Sequence, residues 1–93
     1  MGHVLIIHAV KDYEAWKAIF DAASSIRKAA GEKSYHLLRE EHDPKVVVHF
    51  SSWSSLAEAR SFFESEELVE IRRRAGVEEP QFMYLHALEQ GTL

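Results

Sequence analysis

Cysteine is absent from the 93 residues of this chain. Its absence excludes disulfide bonds, thiolate catalysis, zinc ribbons and iron–sulfur clusters. Basic residues are not in excess either, because the chain has 11 Lys and Arg but 15 Asp and Glu, which gives a net charge of −4. That balance argues against nucleic acid or an anionic membrane as the main partner. The apolar run at 4–7 is far too short to span a bilayer, and no basic segment precedes it as in a signal peptide, so we expect a cytoplasmic protein.

Glycine is scarce as well, with four residues scattered along the chain and none arranged as a phosphate-binding loop. Nucleotide binding therefore has no support in the sequence. A length of 93 residues fits one domain, which we place at 1–93. The apolar fraction of 46% is typical of a globular protein.

The first half of the chain predicts a strand, a helix and a hairpin. Residues 3–10 are β-branched and aliphatic, which is typical of a strand. Asp12 then caps a helix whose apolar residues, spaced by three and four, form one continuous stripe that ends at Gly31. Two further strands, at about 34–41 and 45–53, are joined by a short turn and therefore predict a hairpin.

The second half predicts a helix and a last strand. Ser55 and Glu58 form a capping box that opens the helix, and Ser65 restarts or bends it. Glu78, Glu79 and Pro80 are expected to break the chain before a strand at 81–88. The order β-α-β-β-α-β predicts an α+β, ferredoxin-like fold, with a four-stranded antiparallel sheet in the order 4-1-3-2 and helices on one face.

The strands carry too many apolar residues for a sheet with one wet face. Residues 4–7 and 46–48 are aliphatic throughout, so both faces of their strands are apolar, whereas a half-solvated sheet alternates polar and apolar side chains. The helices can cover only one face. Because soluble monomers rarely expose a large apolar patch, the sequence predicts a homodimer in which two sheets face each other.

Many positions resemble small bacterial proteins of the dimeric α+β-barrel superfamily, which are labelled antibiotic-biosynthesis-monooxygenase-like or cyclase-like. The first shared run comprises His8, Val10, Asp12, Tyr13, Trp16, Lys17, Phe20 and Asp21. Further shared points are Arg27, Gly31, Arg39, Asp43, Pro44, residues 58–62, Ser65, Leu68 and residues 75–77. The resemblance covers nearly the whole chain and implies a dimer whose facing sheets enclose a pocket. It does not specify a reaction, because the superfamily includes oxygenases, polyketide cyclases, isomerases and haem proteins.

Asparagine is also absent, and this bears on the reactions of similar proteins. The haem-degrading members depend on an Asn, a Trp and a His from the second helix region, and no histidine lies between His49 and His86. Quinone-forming members also use an Asn, so this chain departs from both patterns at that residue. The cyclising and isomerising members use Tyr and His acid–base pairs, and those residue types are present. We expect no cofactor.

Six histidines are many for so short a chain, and three of them lie on strands predicted to be neighbours. His8 lies on the first strand, His49 on the third and His86 on the fourth. Imidazoles that face an enclosed pocket can act as general bases or hydrogen-bond a polar ligand near neutral pH. Tyr84 shares a strand face with His86 and completes the candidate catalytic set. No metal is expected, because the chain lacks the His-x-His, His-x-x-x-His and Glu-x-x-His patterns, and three strand histidines would need a favourable register to meet one ion.

The orientation of these histidines decides their role. Val46, Val48 and Phe50 form a wholly apolar strand face, which we assign to the helix layer, so His49 is expected to face the partner sheet. The orientation of His8 depends on the inter-strand register, which the sequence does not give. The catalytic hypothesis for His8 assumes a pocket between the two sheets, so a side chain that points into the helix layer would end it. The alternative for each histidine is a structural imidazole, hydrogen-bonded to backbone or water.

The leading hypothesis is a homodimeric small-molecule-binding protein that acts as an acid–base enzyme of the cyclase, isomerase or monooxygenase type. His8 and a second pocket His or Tyr would transfer protons on an aromatic or polyketide-like substrate. The alternative is a non-catalytic ligand-binding or interaction module with structural histidines. The expected partners are therefore a second copy of the chain and a small hydrophobic or aromatic ligand.

Overall fold

The structure is a computed structural model that describes residues 2–93, except for the side chain of Glu78. The described chain contains four strands and four helices. In order they are β1 (Gly2–Val10), α1 (Tyr13–Ala22), α2 (Ser24–Ala30), β2 (Glu32–Arg39), β3 (Val46–Trp53), α3 (Leu56–Phe63), α4 (Glu66–Arg74) and β4 (Val77–His86). Of the helices in this part of the chain, none combines the length and apolarity that crossing a membrane requires.

The four strands form one antiparallel sheet in the order β2-β3-β1-β4. This is the predicted order 4-1-3-2 read from the opposite edge, and it confirms the ferredoxin-like α+β fold. The helices cover one face of the sheet, so the two faces have different environments. We call them the helix side and the open face.

The helix predicted to run without interruption to Gly31 is divided at Ala23, which ends α1 with a φ of −90° and a ψ of 4°. The Arg27 guanidinium donates to the carbonyl oxygen of Phe20, an acceptor that an uninterrupted helix would use for its own ladder. A side chain that inserts into the ladder in this way breaks a helix. The predicted restart at Ser65 is confirmed, because Ser65 caps α4 by accepting a hydrogen bond from the Leu68 amide.

The predicted chain break at residues 78–80 is wrong, because all three residues belong to β4. Proline is tolerated there because β4 is an edge strand and needs partners on one side only. The register with β1 also shifts between Ile7 and Ala9, and Glu79 adopts a positive φ of 42°. A bulge therefore interrupts β4 without ending it.

The core lies on the helix side and consists of two buried clusters. The members of the first are Val4, Ile6, Trp53, Ala59 and Phe63, and those of the second are Val10, Trp16, Phe20, Val47 and Ala75. Even-numbered residues of β1 and odd-numbered residues of β3 face the helices, as their alternating burial shows.

This alternation contradicts the predicted orientation of His49. His49 is 2% exposed and lies edge-on to Phe20 of α1 and Phe63 of α3, so it faces the helices. The polar residues of β3 that face the helices, His49 and Ser51, have hydrogen-bond partners there. Ser51, for example, accepts a hydrogen bond from the Trp53 indole at 2.8 Å. The prediction failed because the wholly apolar strand face of β3 belongs to the open face instead.

The open face is apolar, as the sequence predicted. Leu38 and Met83 are 54% and 51% exposed on it. Its apolar residues, read from the register and the alternation, are Leu5, Ile7, Leu38, Val46, Val48, Phe50, Met83 and Leu85. Within the described chain, no helix covers this surface.

Candidate active site

Two of the four predicted catalytic residues lie together on the helix side. The register pairs His8 with Val47 and Ile6 with His49, so the two histidines are diagonal neighbours on one face of the sheet. Such neighbours have Cα atoms about 7–8 Å apart. Because His8 points toward the helices, it cannot take part in a site between two facing sheets.

The other two predicted residues lie elsewhere. Tyr84 also faces the helix side, where it packs against the first core cluster under the guanidinium of Arg60, 4.1 Å from the ring centroid. Burial raises the pKa of Tyr84. His86 is exposed and pairs with Gly2, roughly 20 Å along β1 from His8 at 3.4 Å per residue. The structure thus does not bring Tyr84 and His86 together with the histidine pair.

His8 and His49 line a small cavity between the sheet and the helices, with a volume of about 60 Å³. Helices α1 and α2 supply one wall and α3 and α4 the other. The apolar part of the lining is formed by Ile6, Trp16, Ile19, Phe20, Ala23, Phe62, Phe63, Leu68, Ile71 and Ala75. Four polar side chains complete it, namely His8, Arg27, His49 and Arg72. A polar patch at the bottom of an apolar cleft is the usual composition of a small-molecule site.

His8 is buried with an open ring nitrogen. The residue is 4% exposed, its ring lies 5.3 Å from that of Trp16, and Nδ1 finds no hydrogen-bond partner among residues 2–93. The pKa of His8 is lowered to about 3, mainly by burial and also by the neighbouring His49 and Arg72, because like charges disfavour the imidazolium. His8 is therefore neutral at physiological pH, with Nδ1 available to a ligand. We call this atom the open Nδ1.

Arg72 brings a positive charge to the same cavity from α4. Its Nη1 donates to the carbonyl oxygen of Phe63 at 2.9 Å, and its guanidinium lies 5.0 Å from the centre of the Phe82 ring. Burial lowers the pKa of Arg72, but a guanidinium stays protonated in proteins. Arg72 is the first of three arginines in the last turn of α4, and it lines the cavity.

His49 belongs to a buried ionic network. Its Nε2 lies 2.7 Å from Oε2 of Glu32, and the other carboxylate oxygen accepts from Nε of Arg27 at 2.6 Å. The Arg27 guanidinium stacks on the Phe20 ring, with 3.6 Å between its carbon and the ring centroid. All three charged or polar side chains are no more than 6% exposed. A carboxylate held by two donors fixes the ring orientation of His49.

Sequence reasoning missed Glu32 as a site residue. It follows Gly31, the glycine that ends α2, and was expected in the loop before β2. The register between β2 and β3 shifts between Glu32 and Ser34, and this bulge places Glu32 opposite Trp53 on the helix side. A glutamate after a helix-ending glycine carries no sequence signal of burial, and a bulge depends on partner strands that are distant in sequence.

Two outer grooves adjoin the cavity. One, of about 390 Å³, lies between α1, α2 and α4 and shares Ile19, Ala23 and Ile71 with the cavity lining. The other, of about 580 Å³, lies between α2, α3 and α4 and shares Phe62 and Leu68. The cavity alone has room for a few water molecules, whereas the grooves reach the size of small-molecule sites.

A larger hollow of about 770 Å³ lies at the far end of the sheet. His3, His36 and His86 line it, together with Phe50, on which His3 stacks, and residues 87–90. His86 thus belongs to a different region from His8 and His49. Among the described residues, no group of three His, Asp or Glu side chains is arranged to hold a metal ion.

Comparison with known proteins agrees with the fold and the resemblance. The sequence profile of the antibiotic biosynthesis monooxygenase family matches residues 8–74, and the chain belongs to this family. Its fold is accordingly a monooxygenase-like, small-molecule-binding fold, and proteins of this fold are typically homodimers.

Several solved structures share the fold at low sequence identity. The chain is similar to SnoaB, a cofactor-independent oxygenase from Streptomyces nogalater, with a TM-score of 0.78 and 12% identity over 96% of this chain and 94% of SnoaB. It is also similar to a protein from Caulobacter crescentus, with a TM-score of 0.73 and 17% identity over 95% of this chain and 90% of the other. Rv0793 from Mycobacterium tuberculosis matches with a TM-score of 0.67 and 19% identity over 99% and 100% of the two chains. The search of curated proteins gives no match.

Proposed function

We propose that this protein binds a flat aromatic or polyketide-like molecule in the helix-side cleft and acts on it as an acid–base enzyme. The observation that carries the proposal is the open Nδ1 of His8, which lines a cavity shared with a second imidazole and a guanidinium. A buried polar atom without a partner costs about 1–3 kcal/mol. A ligand that hydrogen-bonds to this atom removes that penalty.

The chemistry that these groups support is removal of a proton from an acidic O–H or C–H group. The resulting enolate or phenolate carries a negative charge, which Arg72 stabilises from α4. Neutral His8 hydrogen-bonds to the same oxygen, and the apolar walls exclude water and strengthen both interactions. Oxygenation, cyclisation and isomerisation of such molecules all can begin with this step. SnoaB, described as a cofactor-independent oxygenase, supports oxygenation as the step that follows.

The dimensions of the cleft support a divided binding mode. The acidic end of the ligand enters the inner cavity of about 60 Å³, and the flat body occupies the adjoining groove of about 390 Å³. Ile19, Ala23 and Ile71 line both spaces and therefore lie where the two adjoin. Small and aliphatic side chains at this position suit an aromatic ring system.

Deuterium uptake at the α-carbon of a tetralone, a bicyclic aromatic ketone, tests the proposal without knowledge of the natural substrate. In heavy water, proton NMR should show that the wild-type protein speeds the uptake over buffer. His8→Ala should reduce this acceleration by about tenfold or more, because a positioned acid–base or hydrogen-bonding group contributes at least that much. The control is His36→Ala, which removes an imidazole from the open face and should leave the rate unchanged.

The alternative function, a non-catalytic ligand-binding module, predicts a different result. Calorimetry would then detect tetralone binding that depends on His8, with no faster deuterium uptake. Failure of the wild-type protein both to bind and to accelerate exchange would reject the helix-side cleft as a site for this class of molecule.

We also propose that the chain forms a homodimer through the open face. The apolar residues of that face support this assembly, because a patch of this kind is rarely left in water. In such a dimer the two helix-side clefts lie on opposite outer sides. Each protomer then carries its own complete site.

A further inference from the structure

Glu32 occupies its buried position through a local irregularity of β2. Tyr35 and Leu37 pair with Ser51 and His49 and face the helices, so strict alternation would place Lys33 on the same side. The bulge after Glu32 instead pairs Glu32 with Trp53 and leaves Lys33 exposed. Bulges commonly re-aim a side chain beside an active site.

A buried ionic network of this kind is weak evidence for a role in stability. Replacing buried ion pairs by apolar residues of similar volume is often neutral or stabilising, because desolvation offsets the attraction. Arg27 and His49 line the cavity, and the Glu32 carboxylate bonds to both of them. This location favours a role toward the molecule that the cavity holds.

The hydrogen-bond pattern determines which nitrogen of His49 carries a proton. An ionised carboxylate only accepts hydrogen bonds, so the Nε2 that bonds to Glu32 must be the protonated nitrogen. In a neutral ring the lone pair then lies on Nδ1, and the ring lines the cavity. His49 therefore combines an oriented ring with a carboxylate that compensates the charge of an imidazolium.

We propose that His49 is the proton acceptor of the cleft and that Glu32 is the positioning residue that orients it, an inference that rests on the proposed function. His8 then serves as the neutral hydrogen-bond partner of the ligand oxygen. Both imidazoles are almost fully buried, but their charged neighbours differ, because His49 contacts the Glu32 carboxylate whereas His8 lies near Arg72. Environments that separate two titratable groups in this way assign them different tasks.

The proposed step transfers one proton. The ligand O–H or C–H bond breaks, its electron pair stays on the ligand, and the proton bonds to Nδ1 of His49. The Nε2 proton does not move and remains hydrogen-bonded to Glu32. The charged product is an imidazolium between the Glu32 carboxylate and a ligand anion, with Arg27 on the far side of the carboxylate.

Absorption spectra of a bound naphthol test the inference, because the ionised and neutral forms of this aromatic alcohol differ in colour. The wild-type protein should bind the naphthol largely ionised. In Glu32→Gln, which keeps the shape of the side chain but not its charge, the ratio of ionised to neutral probe should fall by about tenfold. Glu14→Gln, the same change at an exposed site in the first turn of α1, should not alter the ratio. His8→Ala should weaken binding, while the bound probe stays ionised.

A naphthol that binds the wild-type protein in neutral form, or that ionises equally in Glu32→Gln, would contradict the proposed roles of His49 and Glu32. The ligand site itself would still be supported by the binding. No binding at all would reject the proposed function, and the inference with it. A measurement on the wild-type protein covers the case in which Glu32→Gln does not fold. Nitrogen-15 NMR of the free protein should show the His49 proton on Nε2, and a proton on Nδ1 instead would contradict the inference.

Discussion

His8 illustrates how a single residue can be unfavourable for folding and useful for binding. Its imidazole is buried against Trp16 with the open Nδ1 directed to a cavity, where an apolar side chain of the same size would pack without penalty. Polar atoms of this kind are rare in native proteins and call for an explanation. A ligand that completes the hydrogen bond provides one.

The lowered pKa of His8 predicts a loss of stability in acid. The unfolded chain takes up a proton near pH 6.5, whereas the folded chain does so only at about pH 3, so the contribution of this group is present above pH 6.5 and is lost between pH 6.5 and 3. Between pH 7 and pH 5 the loss amounts to about 2 kcal/mol. Urea unfolding of His8→Phe should show a pH dependence weaker by that amount, at equal protein concentration. Identical pH profiles for the two proteins would disprove the protonation behaviour of His8.

Some site residues could be predicted from the sequence and others could not. His8 and His49 stand out as imidazoles within strands, and their proximity follows from the strand order. Glu32 has no comparable signal, because only the bulge in β2 turns its side chain inward. His49 was assigned to the wrong face because an all-apolar strand face suits the helices or a second sheet equally well.

The cleft lies between two helix pairs, α1–α2 and α3–α4, and each pair is one helical segment divided in two. A single long helix would cover the sheet with one straight ridge, whereas the division at Ala23 and the restart at Ser65 let each pair bend over the sheet. The cavity and both grooves open between α1–α2 and α3–α4. The sequence signalled the second break through the capping serine. It gave no sign of the first, which depends on the reach of the Arg27 side chain.

Gly31 fixes the junction between α2 and β2 that delivers Glu32 to the site. Its φ is 123°, and an added Cβ would lie 2.6 Å from the Ser54 hydroxyl and closer still to the Glu58 carboxylate. We expect Gly31→Ala to lower the free energy of unfolding by about 2 kcal/mol or more. Gly76→Ala is the matched control, since Gly76 also has a positive φ but its nearest neighbour, Lys11, lies 3.7 Å away. Denaturant unfolding should rank Gly31→Ala as the more damaging change, and equal losses would show that the crowding is relieved at little cost.

Element order and strand order followed from the sequence because they depend on local patterns and on the few topologies that antiparallel strands allow. The predicted ends of the strands and helices were less accurate. Pro80 predicted a break, yet β4 passes through it, because only the final sheet shows that β4 lies at an edge. Whether a strand lies at the edge or in the centre of the sheet depends on the assembled sheet, so the sequence of one segment does not reveal it.

At the scale of the whole molecule, the proposed dimer gives the apolar open face its function. Val48 lies near the middle of that face, paired with Ile7 and Leu38. Light scattering of the wild-type protein at micromolar concentration should give twice the chain mass of 10.7 kDa. Val48→Lys should shift the mass to that of a monomer while circular dichroism still reports the fold, because an unpaired charge in a buried interface is strongly disfavoured.

Val69→Lys provides the control, since Val69 is equally apolar and 51% exposed, but on the helix layer. It should leave the dimer intact. A wild-type protein that remains monomeric would reject the assembly, and a Val48→Lys protein that remains dimeric would show that association uses another surface.

The Pro80 bulge in β4 also bears on how this chain avoids uncontrolled polymerisation. An uninterrupted edge strand offers a row of free amides and carbonyls on which further strands can grow into fibrils. Pro80 removes one donor from that row, and the positive φ of Glu79 twists the neighbouring backbone out of line. Copies that meet at this edge find no continuous template. In the proposed dimer, two copies pair face to face, so neither apolar face remains exposed to a third copy.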